Sequence, residues 1–317
     1  WIEPEDTEDL KSILWECRVR SLRVQVFGAG SNILAADEGV RGVVIHLNSP
    51  YFCQLHSPDT HQVLARAGVL NTLFIQYGLE KGLGGFEFMS GIPGNIGGAV
   101  AMNAGSHDQC VADPLKEILF LDLDGRTHFM KKNEIPFGYR SSGLKGGIVL
   151  EALFSFPLAP REVTQKKLDE SRDHRRMTQD LQHASAGCLF KNPQSSPGCS
   201  SGRLIDEAGL KGFAVGRAQV SQKHANFLIN LGGATAKDVQ RLIVKVQEMV
   251  LEKSGIKLET EVRYMSDAVP TTPPSGTAFG KSGKIAVLAG GSSCEREISL
   301  ISGKAVYEAL EAKGYDV

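Results

Sequence analysis

Apolar and polar positions along the chain switch between a period near two and a period near 3.6, which predicts a mixed order of strands and helices. Asp6 and Asp9 stand before the first helical run with capping-box-like spacing, so a helix is predicted over residues 7–17. The β-rich run 22–27 ends at Gly28-Ala29-Gly30-Ser31-Asn32. Further strands are predicted over 42–47 and 62–67, the second followed by a helix over 70–81 and a Gly-rich region over 82–105. Runs 115–123 and 127–131 flank Asp124-Gly125, which predicts a hairpin. A strand over 148–156 and a charged helix over 161–177 follow. Residues 185–230 alternate loops with short apolar runs. Thr235 then caps a helix whose Val239, Leu242, Ile243, Val246 and Val250 share one face. A closing strand is predicted over 257–264. Residues 269–282 are rich in Pro, Gly, Ser and Thr and read as a linker. Beyond it, a strand over 284–288, a loop at Gly290-Gly291-Ser292-Ser293 and a helix over 299–313 read as the opening of another α/β unit.

Composition narrows the picture. The chain has 317 residues, 42% of them hydrophobic and 22% charged, an ordinary globular balance that allows about two or three domains. A formal net charge of -1 points to neither a nucleic-acid nor a membrane surface. No apolar run is long enough to cross a bilayer, and no signal peptide opens the chain. The six cysteines form no C-x-x-C pair, which argues against a zinc site or a disulfide framework and fits a reducing cytoplasm. The 35 glycines cluster in a few short segments, as expected where backbone lies close to a ligand. Both ends of the chain read as cut, since it opens on Trp1 and stops at Val317 where a strand begins.

Five segments carry candidate chemistry. Gly28-Ala29-Gly30-Ser31-Asn32 follows a strand but lacks a third glycine at Rossmann spacing, so it reads either as a non-Rossmann anion-cradling turn or as a plain tight turn. Ser90-Gly91-Ile92-Pro93-Gly94-Asn95-Ile96-Gly97-Gly98-Ala99, with Asn103 after it, is predicted to be a ligand-binding loop rather than a helix. Tyr139-Arg140 gains meaning only if a carboxylate needs a bidentate partner. Cys188 lies among small residues and before Lys191 and Asn192, so a reactive or proton-donating thiol stands beside the ordinary reading of a small buried hydrophobe. Glu259 and Glu261 fall on one side of the predicted closing strand, and either is a candidate acid.

In this order the motifs resemble the UDP-N-acetylenolpyruvoylglucosamine reductase family, also called UDP-N-acetylmuramate dehydrogenase, over residues 1–265. The resemblance rests on residues 28–34, 91–105, 138–142, 185–193, 220–227 and 261–263. The short span from Arg140 to Cys188 is similar to the family's shorter subtype. It implies an α+β chain: an FAD-binding domain of the vanillyl-alcohol-oxidase type over 1–157 and a C-terminal α+β substrate domain over 158–265. It also implies that NADPH reduces the flavin and that UDP-N-acetylglucosamine enolpyruvate is the substrate. By resemblance, Gly28, Ala29, Gly30, Ser31, Asn32, Gly91, Ile92, Pro93, Gly94, Asn95, Gly97, Gly98, Ala99 and Asn103 hold FAD. Arg140 and Glu261 sit at the substrate carboxylate, and Cys188 occupies the place where many relatives carry a proton-donating Ser. Tyr139, Lys191, Asn192 and His224 contact substrate.

Relatives carry about two dozen residues before the position of Trp1, including a strand and a Gly-Gly turn that help to bind FAD. Residues 266–282 are expected to link to a second resemblance: 283–317, with Gly290-Gly291-Ser292-Ser293-Cys294-Glu295, is similar to the start of a D-alanine–D-alanine ligase. By position, Glu295 holds the first D-alanine there. The expectation is a piece of a reductase–ligase fusion. Two other readings are an FAD-dependent oxidase of the same fold and a non-catalytic module that binds UDP-sugar or serves as a scaffold. An oxidase has no enolate to stabilise, and bound flavin separates an enzyme from a module.

Overall fold

The computed structural model describes residues 1–106, 108–194 and 198–267. Residues 268–317, which hold the stretches read as a linker and as a ligase-like unit with Glu295, lie outside the described residues.

Helix α1 (Thr7–Val19) starts where the Asp6 carboxylate accepts from the amides of Glu8 and Asp9, at 2.9 Å each. That satisfies two of the donors a helix start leaves open. It buries Leu10, Leu14 and Cys17. Strand β1 (Val24–Phe27) leads into the first Gly-rich turn, β2 (Ile33–Ala35) leaves it, and β3 (Val43–His46) lies parallel to β1. A strand, not a helix, therefore follows the turn. Ile45, Phe52, Leu47, Leu10 and Leu14 close this small α/β layer.

A five-stranded sheet follows. It contains β4 (Leu55–His56), β5 (Gln62–Arg66), β8 (Leu115–Asp122), β9 (Thr127–Lys131) and β10 (Gly147–Ser155), in the order β4-β5-β10-β8-β9. Between β5 and β8 come α2 (Asn71–Glu80), α3 (Ile96–Ala101), and the two-residue strands β6 (Gly105–Ser106) and β7 (Gln109–Cys110). The predicted hairpin closes as Leu121 pairs with Thr127, with Gly125 at φ 85°. At the centre of this layer Phe74 packs edge to face on Phe154 and Phe156, Phe86 does so on Phe156, and Phe154 and Phe156 stack.

One expectation fails here. The Gly-rich segment contains α3, because the Asn95 side chain accepts from the Gly98 amide at 3.0 Å and caps it. At Gly97 a Cβ would stand 2.8 Å from the Ala67 Cβ, so close helix–sheet contact outweighs the poor helix propensity of glycine over this short run.

Helix α4 (Arg161–Thr178) leads to the second unit, an antiparallel sheet in the order β11-β14-β13-β12. Its strands are β11 (Ala184–Cys188), β12 (Ala214–Val215), β13 (Ala218–Val220) and β14 (Phe227–Asn230). Helices α5 (Ser201–Glu207) and α6 (Ala236–Ser254) cover it, and α6 buries Leu242, Val246 and Val250 on the predicted face. The predicted closing strand is split. Lys191 and Glu261 each bond through the backbone to the facing segment, at 2.9 and 2.7 Å, while only β15 (Arg263–Met265) is a ladder strand. It runs parallel to β2, so the chain returns to its first layer. That return carries Glu261 to the junction of the two units. Among the described residues, no helix is long and apolar enough to cross a membrane.

Candidate active site at the junction of the two units

The two Gly-rich segments meet. Ser31 Oγ donates to the Pro93 carbonyl at 3.0 Å, and a Cβ on Gly94 would stand 3.2 Å from Ser31 Oγ. A Cβ on Gly28 would stand 2.8 Å from Asn95 Oδ1. The amides of Ala29, Gly30 and Ser31 donate to no described acceptor. Asn71, just behind the second segment, donates to the Ile92 carbonyl at 3.2 Å, but its own Oδ1 is buried without a partner. Open amides fit a phosphate, and the orphaned Asn71 oxygen fits an N–H or O–H of a larger ligand. These residues thus suit a dinucleotide such as FAD. Asn103, at φ 43°, donates to the Gly138 carbonyl and accepts from the Ala112 amide, tying the end of this segment to the turn that carries Arg140.

Arg140 itself sits at φ 55°, in a turn closed by reciprocal backbone bonds between Gly138 and Ser141. A left-handed arginine costs on the order of 1–3 kcal/mol, and such strain persists where the surroundings fix it. The turn aims the guanidinium at Glu261, with Nε 2.9 Å from Oε1 and both side chains largely shielded. Asn32 of the first turn donates to the Glu261 carbonyl at 3.2 Å, so both units grip this residue. Burial pushes the Glu261 carboxyl up from its ordinary range, against the pull of Arg140 and Lys191. Glu259 faces away, is exposed, and pairs with Lys191 at 2.5 Å. Of the two candidate acids, only Glu261 meets Arg140.

Cys188 ends β11 just past a register shift between Ser185 and Cys188, with Gly187 at φ 77°. Such a bulge re-aims the following side chain. Burial pushes the thiol up to about 11, Glu261 adds to the rise, and Arg140 and Arg175 oppose it. The thiol therefore keeps its proton through neutral pH, within electrostatic reach of Arg140, Glu261 and Arg175.

Around this trio, Tyr139 Oη accepts from the Asn192 amide at 3.4 Å, and Asn192 Oδ1 accepts from the Ser201 amide at the start of α5. His224 lies behind this segment: its ring stands 4.7 Å from that of Phe227, and Nδ1 accepts from the Asn226 amide. Burial depresses its pKa. Sequence reasoning missed Arg175. It lies near the end of α4 beside Arg172 and Arg176, where charge along a helix reads as a solvated face. Only the fold shows that its Nη1 donates to the Gly91 carbonyl at 2.8 Å.

Residues 1–131 match a model described as an FAD binding domain, and residues 179–265 match the C-terminal domain of UDP-N-acetylenolpyruvoylglucosamine reductase. The chain is 40% identical over 276 residues to the UDP-N-acetylenolpyruvoylglucosamine reductase of Heliobacterium modesticaldum, covering 86% of this chain and 87% of the relative. The chain belongs to the UDP-N-acetylenolpyruvoylglucosamine reductase family. A reductase of the same name from Listeria innocua is 38% identical over 269 residues, covering 84% of this chain and 88% of the relative. The crystal structure of the reductase from Thermus caldophilus is similar at a TM-score of 0.71 and 40% identity, over 83% of this chain and 90% of that one. The chain is thus an oxidoreductase built from an FAD-binding domain and the family's C-terminal domain.

Proposed function

We propose that this site reduces the enolpyruvyl ether of UDP-N-acetylglucosamine enolpyruvate to the lactyl ether of UDP-N-acetylmuramate, with NADPH as the electron source. The observation that carries the reading is the Arg140–Glu261 pair beside a protonated Cys188 thiol, at the junction of the FAD-binding and C-terminal domains. FAD, when bound, supplies the hydride. The Gly28–Asn32 turn, the Gly91–Ala99 segment and Asn71 are the residues that would hold it.

The remaining chemistry falls to side chains. Hydride arriving at the terminal vinyl carbon breaks the C=C π bond, and its electron pair moves toward the substrate carboxylate. Arg140 presents a planar guanidinium to that growing charge. Glu261, held at Arg140 and with its carboxyl pushed up by burial, is proposed to border the same oxygens. Cys188 then delivers a proton to the carbon that bears the ether oxygen, and the thiolate left behind is stabilised by Arg140. Tyr139, Lys191, Asn192 and His224 are proposed to border the nucleotide-sugar. The reading of residues 283–317 as the start of a D-alanine–D-alanine ligase rests on the Gly290–Leu300 motif alone.

The test is the visible spectrum and turnover of the purified protein. A flavin band, with NADPH oxidation that requires the enolpyruvyl substrate and yields UDP-N-acetylmuramate, is expected. A protein extended at its N-terminus to the length of its relatives that stays colourless even on addition of FAD would overturn the reading.

A further inference from the structure

Among the described residues, no carboxylate pairs with Arg175. Its pKa is lowered by burial first, and its charge is felt by both Cys188 and Arg140. Its one described hydrogen bond goes to the Gly91 carbonyl, through Nη1. The contact is close: a Cβ on Gly91, at φ 71°, would stand 2.5 Å from Arg175 Cδ. A guanidinium has five N–H donors, so four are left for other partners.

Charge balance sharpens the point. The charges of Arg140 and Arg175 both act on one thiol, and among the described residues Glu261 is the only carboxylate that acts on it. With Glu261 ionised the cluster carries one excess positive charge; with Glu261 protonated it carries two. Two partly desolvated guanidiniums repel each other unless an anion lies between them. A protein side chain could have supplied that anion, as Glu259 does for Lys191 and Glu207 does for Arg203, but none is paired with Arg175 among the described residues.

We propose that Arg175 is a second carboxylate-holding residue of this site, paired with Arg140 across the substrate's enolpyruvyl group and anchored by the Gly91 carbonyl. The inference rests on the proposed reaction for the identity of the ligand, but the excess of positive charge acting on Cys188 rests on this chain alone. Arg175 comes from α4, whereas Arg140 comes from the turn after the FAD-binding segments. Two guanidiniums from separate elements can bracket a planar carboxylate, and each charge-assisted contact is worth roughly a tenfold to hundredfold change in affinity.

Two measurements test it on the full chain. The first compares alkylation of Cys188 by iodoacetate, an anion, and by neutral iodoacetamide, followed by peptide mapping. The rate ratio cancels changes in thiol acidity and reads local charge. Arg175→Met should lower that ratio, and Arg175→Lys should hold it near the parent value. An unchanged ratio in Arg175→Met overturns the proposal, whatever the substrate. The second measures binding of the enolpyruvyl nucleotide-sugar and of UDP-N-acetylglucosamine, which lacks the carboxylate. Arg175→Met should weaken the first about tenfold to a hundredfold and leave the second unchanged. Equal losses for both would assign Arg175 to the diphosphate and overturn the carboxylate claim. Unchanged affinity for both, with weaker FAD retention, would make Arg175 an anchor of the Gly91 segment only. If the parent itself fails to bind the enolpyruvyl compound while the alkylation ratio still falls in Arg175→Met, the proposed reaction fails and the anion pocket stands.

Discussion

Cys188 differs from a serine in one respect that the site exploits: its acidity can be tuned. Burial and Glu261 push the thiol up to about 11, so it stays loaded with its proton at neutral pH while remaining a far better acid than an alcohol. Alkylation of Cys188 by iodoacetamide should therefore rise toward a midpoint near 11, against about 8.5 for an unperturbed thiol. A midpoint near the ordinary value would mean that the thiol is open to water. Cys188→Ser should stay active. Cys188→Ala should keep NADPH-driven flavin reduction and lose most of the substrate-driven reoxidation, a split that stopped-flow spectroscopy resolves. His224 makes the opposite use of burial. Its depressed pKa keeps the ring neutral in the fold. The unfolded state then binds the proton more readily, so stability should fall as pH drops below about 6.5, the usual histidine value. His224→Gln should flatten that part of the stability-against-pH curve. An unchanged curve would show that other groups dominate the acid limb.

At the scale of elements, two contacts add to those of the site in holding the domains in register. One is the parallel pairing of β15 with β2, which delivers Glu261. The other is Asp37, whose carboxylate accepts from the amides of Ala236 and Lys237 at 2.6 and 3.1 Å and so caps α6 from the other domain. Lys237 adds a pair with Glu38 at 2.5 Å, though both side chains are exposed and the pair adds little. Asp37→Ala should cost roughly 1 kcal/mol in chemical denaturation, the usual worth of a lost helix cap. It should also raise KM more than it lowers kcat, since domain register places the substrate groups. At the same helix start Thr235 and Asp238 bond each other's backbone amides, and no change in either measurement would show that this capping box suffices. The α6 helix is legible in the sequence because its cap and its apolar stripe agree. Helix α3 is not, because what permits it is tight contact with Ala67, which no local pattern records. The 257–264 run looks like one strand, yet its backbone bonds serve two partners in succession, and only the fold separates them.

At the scale of the molecule, the site exists only where the domains meet. The glycine segments, Arg140 and Cys188 stand out in the sequence through composition and through resemblance to the reductase family, but the spatial relation of Arg140 to Glu261 is a product of the chain's return to β2. Arg175 stayed hidden for the same reason: a charged helix gives no sign that its end abuts a glycine segment. The central claim, that Arg140 stabilises charge developing on an enolpyruvyl carboxylate, has a direct measurement. The NADPH-reduced protein is mixed without oxygen with UDP-N-acetylglucosamine enolpyruvate, and return of the flavin band is timed for the parent and for Arg140→Lys. A lysine keeps the charge but loses the two-pronged geometry. Reoxidation of Arg140→Lys should be slower by about two to three orders of magnitude, with its reduction by NADPH unchanged. Equal reoxidation rates in the two proteins would contradict the account.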